Sequence, residues 1–148
     1  MERRKFITAT SLITAGLAIN SKIALAEPAE HDHKEHNHPT KYKSLADSSS
    51  KCVLDGENNL RHCYGMVSMG DTSMANCIKL TNDTIAACRA LEALAAADSH
   101  HTVAMAKVVE QICSECMKEC EKFLNFAECK AMAEACKNCA EECKKVKA

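Results

Sequence analysis

Cys113-Ser114-Glu115-Cys116-Met117-Lys118-Glu119-Cys120 and Cys136-Lys137-Asn138-Cys139-Ala140-Glu141-Glu142-Cys143 decide how this chain folds. Each stretch sets its thiols three and four residues apart, with charged residues between them. On a helix of about 3.6 residues per turn, those spacings gather the thiols into one stripe and leave the charges on the other faces. Cys129, seven residues before Cys136, lengthens the second stripe by two turns. Steps of three, four and seven are those of an inward-facing seam.

The same geometry extends upstream. Cys52 and Cys63 are 11 residues apart, as are Cys77 and Cys88. Eleven steps of about 100° make three turns plus about 20°, so each pair shares a face. Both pairs are symmetric about Gly70, so an antiparallel hairpin turning there sets Cys63 level with Cys77 and Cys52 level with Cys88. From about Lys43 to Val146 the chain is rich in Ala, Lys, Glu, Leu and Met, and no proline follows Pro39. Breaks at Gly70-Asp71, at Asp98-Ser99 and around Asn125 predict helices over 44–69, 72–97, 99–124 and 126–146, with Asp71 and the Asp98-Ser99 pair as caps. Tight turns between helices of similar length predict an all-α protein, an antiparallel up-down four-helix bundle with a Cys-lined core. The first helix is the weakest. Ser48-Ser49-Ser50 and Asp55-Gly56-Glu57-Asn58-Asn59 are poor helix formers and leave room for a kink or a late start.

Ahead of the bundle lie two other segments. Residues 1–26 combine basic Arg3-Arg4-Lys5, an apolar stretch from Ala9 to Ile19 and a small-x-small Ala24-Leu25-Ala26 site, which together predict an export signal. Arg3-Arg4-Lys5-Phe6-Ile7 resembles the twin-arginine type, and a periplasmic location is expected. The apolar run is short and carries Thr8, Thr10, Ser11 and Thr14, too polar for a permanent span, and no membrane insertion is expected once it is removed. Residues 27–43 hold both prolines and His31, His33, His36 and His38 without apolar periodicity, the pattern of a disordered tail. Its imidazoles can bind a divalent metal, or it is a soluble linker. Without residues 1–26, Lys+Arg falls from 19 to 15 and Asp+Glu from 20 to 19, a net charge of −4. A mildly acidic chain argues against nucleic acid as a partner. Residues 44–148 form the predicted bundle domain.

Three chemistries compete for an axis faced by Cys52, Cys63, Cys77, Cys88, Cys113, Cys116, Cys120, Cys129, Cys136, Cys139 and Cys143. As plain core residues they pack poorly, since Leu in place of each Cys would bury two or three more carbon groups at about 0.8 kcal/mol each. As a disulfide scaffold they suit an exported protein, but 11 is odd and neighbours on one helix lie too far apart to join without strain. As metal ligands, soft thiolates select Cu(I), Zn(II) or iron–sulfur clusters. Zinc usually takes four ligands from loop knuckles, and a straight helix cannot wrap an iron–sulfur cluster alone. Cu(I) accepts two or three sulfurs, and a thiolate can bridge two ions, so a ladder of thiols suits many Cu(I) ions. Met66, Met69 and Met74 flank the first turn, while Met117 and Met132 lie near the third, at the same end of an up-down bundle. Thioethers are soft ligands, and with His62 beside Cys63 they make an entrance. The plainer alternative is methionine as gap filler.

These residues resemble the bacterial copper storage proteins, small cysteine-lined four-helix bundles. The likeness runs from Cys52, Gly56-Glu57 and Leu60-Arg61-His62-Cys63 through Gly70-Asp71, Ser73-Met74 and Cys77 to both quoted stretches. It implies Cu(I) held in numbers by the 11 thiolates, with His62, Met66, Met69, Met74 and Met132 as further candidate ligands. It also implies storage in the periplasm, for copper supply or for protection from excess. Copper ions are the implied partners, with copper chaperones or copper-requiring enzymes beyond them, and homo-oligomerisation is left open. Asn59 and Met132 depart from the pattern, standing inward where cysteine would continue the ladder. The alternatives are an exported iron–sulfur or redox protein and a disulfide-stapled structural bundle. No nucleotide loop, substrate pocket or nucleophile–base pair is visible, so an enzyme is not expected.

Overall fold

The computed structural model describes residues 39–146; the expected export signal and most of the expected His-rich tail lie outside them. Four helices follow one another: α1 (Lys43–Ser68), α2 (Ala75–Ala96), α3 (Thr102–Cys120) and α4 (Ala127–Lys145). α1 and α3 each pack on both α2 and α4. Their direction is fixed by paired contacts. Cys63 meets Cys77 at the turn while Cys52 shares a group with Cys88 farther away. Cys77 meets Cys120 while Cys88 meets Cys113, and Cys63 lies by Cys129 while Cys52 meets Cys136. Neighbouring helices therefore run antiparallel, as expected. Among the described residues no helix is long and apolar enough to cross a membrane.

The turns differ from the sequence expectation in a consistent way. α1 and α2 both end in the same motif, in which two amide N–H groups beyond the helix donate back to its last turn. After α1, Gly70 N–H donates to Val67 O and Asp71 N–H to Met66 O; after α2, Asp98 N–H donates to Ala95 O and Ser99 N–H to Leu94 O. The motif needs a left-handed residue, supplied by Gly70 at φ 87° and by Asp98 at φ 48°. Asp98 thus closes α2 instead of capping α3, and its carboxylate accepts from Lys41 N–H at 2.9 Å. Asp71 accepts from Ser73 N–H at 2.9 Å within the loop, so α2 begins later, at Ala75. α3 stops at Cys120, a 3-10 turn follows over Glu121–Phe123, and Phe126 is extended before α4.

α1 is one helix from Lys43, with no late start. Packing overrides its weak propensity. Ser49 and Gly56 are buried, and the Ser48 and Ser49 hydroxyls donate back to Leu45 O. Gly56 is required where it stands. A Cβ there would lie 2.7 Å from Ile85 Cγ1 and 3.5 Å from Met132 Cε.

The core is not uniform. At the end holding the start of α1 and the α2–α3 turn, Leu45, Leu91, Ala95, Ala106 and Val109 are buried. This aliphatic layer packs that end, where the last turn of α4 also places Cys143, the one cysteine with any exposure. Beyond it toward the α1–α2 turn, the buried seam is mostly sulfur.

Candidate metal centre

All 11 cysteines are buried and free. Ten are fully covered and Cys143 is 4% exposed. They form two groups. Near the α1–α2 turn, the sulfurs of Cys63, Cys77 and Cys129 lie within 4.8 Å of one another. Farther down, those of Cys52, Cys88, Cys113 and Cys139 do the same. The remaining thiols join them. Cys120 is 3.7 Å from Cys77 and 4.0 Å from Cys116, while Cys136 is 3.9 Å from Cys52. Sulfurs at these separations can share an ion, since metal–thiolate bonds of about 2.3 Å span roughly 4 Å between two ligands of one metal. The four-thiol group can also enclose one tetrahedral zinc, so geometry at that site alone does not choose the metal.

The helical stripes explain the arrangement. Cys52, Gly56, Asn59 and Cys63 on α1 follow steps of four, three and four, and so do Cys77, Thr81, Thr84 and Cys88 on α2. All eight are buried. Asn59 had been placed inward by its spacing; Thr81 and Thr84 had not, although continuing the α2 stripe from Cys77 reaches both. Asn59 sits among thiols with its amide fully used. Its Nδ2–H donates to Thr81 Oγ1 at 3.0 Å and Cys77 Sγ at 3.3 Å. Its Oδ1 accepts from the thiols of Cys129 at 3.2 Å and Cys63 at 3.7 Å.

Burial raises the thiol pKa of Cys129 to about 12, with the neighbouring Cys77 adding to the shift. Burial, followed by the proximity of Cys77 and Cys129, raises Cys63 as well. Cys77 moves the other way, down to about 6, chiefly because a Cys120 hydrogen bond stabilises its thiolate, with Asn59 and Thr81 contributing. A cluster of this kind gives up a first proton readily and later ones with difficulty, since each new thiolate repels the next.

The soft residues expected at the entrance are graded in depth. Met69 is 74% exposed, Met66 half-buried and Met74 fully buried. Met132 is fully buried in the second turn of α4, in the seam itself. His62 is largely covered; its Nδ1 lies 3.8 Å from Glu128 Oε2, its ring tilts against Phe126, and its buried Nε2 has no partner. At the other end His100 and His101 are exposed with ring centroids 3.8 Å apart, and the aliphatic layer separates them from the thiols.

Fold and donor set together define a cysteine-lined helical bundle suited to soft metal ions. The sequence profile of the copper storage protein family, Csp, matches residues 38–148. The chain belongs to that family. Its fold is similar to a solved structure described as the Cu(I)-bound copper storage protein BsCsp3, with a TM-score of 0.63 and 22% sequence identity over 72% of this chain and 97% of that one. Among curated proteins none matches the chain.

Proposed function

We propose that this protein stores several Cu(I) ions on its buried thiolates and has no catalytic role. The observation that carries this is the set of 11 free, buried cysteines spaced along the seam of one bundle. No packing argument rewards so many thiols, whereas Cu(I) rewards them with short, soft bonds and thiolates that bridge neighbouring ions. All 11 cysteines act as ligands, and His62, Met66, Met69 and Met74 admit the metal from the α1–α2 end. Met132 adds a thioether inside the seam.

In this reading residues 1–26 export the chain, folded, to the periplasm by the twin-arginine route, and residues 27–43 gather copper through His31, His33, His36 and His38. The store then supplies copper-requiring proteins or protects against excess. Cell fractionation and the mature N-terminus test the export step.

Capacity tests the function. Reduced apo-protein titrated with Cu(I) against a competing chelator takes up on the order of ten ions, about one per bridging thiolate. Saturation at one or two ions would overturn storage, brown iron-containing protein would support an iron–sulfur centre, and metal-free protein with blocked thiols would support disulfides.

A further inference from the structure

The waist of the seam is thiol on α3 alone: Cys120 lies 3.9 Å from Asn59 and Cys116 3.8 Å from Thr81. Halfway along the bundle, α1 contributes Asn59, α2 contributes Thr81 and Thr84, and α4 contributes Met132, all buried. Asn59 and Thr81 meet across α1 and α2 at 3.0 Å, in the layer between the Cys63–Cys77 contact and the Cys52–Cys88 group. Only α3 carries sulfur anions past this level, through Cys120 and Cys116, which are 4.0 Å apart. Each polar atom of Asn59 is already engaged, and neither an amide N–H nor a neutral hydroxyl can bridge two soft cations. A thioether such as Met132 caps an ion but carries no charge with which to link several.

We propose that the Asn59–Thr81 pair divides the copper store into two compartments that fill and empty separately. One is built on Cys63, Cys77, Cys129 and Cys120. The other is built on Cys52, Cys88, Cys113 and Cys139, with Cys136 and Cys143 beside them. Cys116 is the passage between them. This inference rests on the storage function proposed above. It assigns Asn59 and Thr81 a specific role: they narrow the link between the two sets of ions to the single line of sulfurs through Cys120 and Cys116. Asn59 contributes in a second way, because its amide holds Cys77 and Cys120 as acceptors and Cys63 and Cys129 as donors, fixing the upper thiols before any metal arrives.

The test is native mass spectrometry of the reduced full-length chain at increasing Cu(I), followed by timed withdrawal of copper with a Cu(I) chelator. The wild type should accumulate one partly loaded species, with the content of a single compartment, before the filled form, and should lose copper in two phases. The double variant Asn59→Cys/Thr81→Cys continues both stripes in sulfur. It should lose the partly loaded species, release copper in one phase and gain about two ions, one per added thiol. Thr81→Val removes the hydroxyl but adds no ligand, so it should keep both phases. Smooth passage of the wild type through every stoichiometry with single-phase release overturns the partition, whatever the variants do. Persistence of the intermediate in a double variant that keeps its helical circular dichroism also overturns it. A wild type that holds only one or two ions in total would instead overturn the storage function.

Discussion

Cys63 and Cys129 are the thiols on which burial acts most plainly, and acid–base linkage turns that burial into a measurable stability effect. Their folded pKa values stand above the unfolded value of about 8.5, and Cys129 reaches about 12. A group raised in this way contributes stability that is complete below the unfolded pKa and is lost as pH climbs toward the folded one. Reduced apo-protein should therefore lose stability between about pH 8.5 and 12. The urea midpoint should fall more from pH 7.5 to 9.5 in the wild type than in Cys63→Ala/Cys129→Ala, and equal falls would show that these thiols do not titrate as buried groups. The thiols themselves were legible in the sequence because cysteine is rare enough for its spacing to speak. Thr81 and Thr84 were not. A threonine in a helix looks the same whether it faces water or a core, and only the stripe shared with Cys77 and Cys88 marks it.

Helix α1 and the turn after it show what an element adds to its residues. The helix count, order and register followed from periodicity, and Gly70 marked the first turn correctly. The helix starts were misplaced by about three residues at α2 and α3, since Asp71 and Ser99 serve the loops instead of the helix ends. A capping residue states that a turn is near, but tertiary packing settles which N–H it receives. At this turn the methionines pass from exposed Met69 through half-buried Met66 to buried Met74, a descending series of neutral soft donors. Replacing all three by Leu keeps volume and apolarity, so the fold should survive. Stopped-flow uptake from a Cu(I) donor should slow while the final copper number stays nearly unchanged. Unchanged rates would move the entrance elsewhere, with His100 and His101 the next candidates.

For the molecule as a whole, a core rich in thiols gives up burial energy that metal can restore. A ligand that binds only the folded chain stabilises it by mass action, and structural thiolate–metal bonds are strong on that scale. The thermal midpoint followed by circular dichroism should rise as copper is added to the reduced protein, and a midpoint indifferent to copper would mean that the metal is not held by the bundle core. The aliphatic layer of Leu45, Leu91, Ala95, Ala106 and Val109 has its own consequence for how such a store is used. Hydrocarbon lines one end and thioethers face the other, so soft donors favour entry at the thioether end. Where copper enters and leaves by that end, the seam would work as a stack, not a queue: the ion admitted last would be the first to leave. Copper pulse-labelled late in loading would be withdrawn early, and residence time would lengthen with depth, so the newest copper would be the most readily spent and the oldest the most secure.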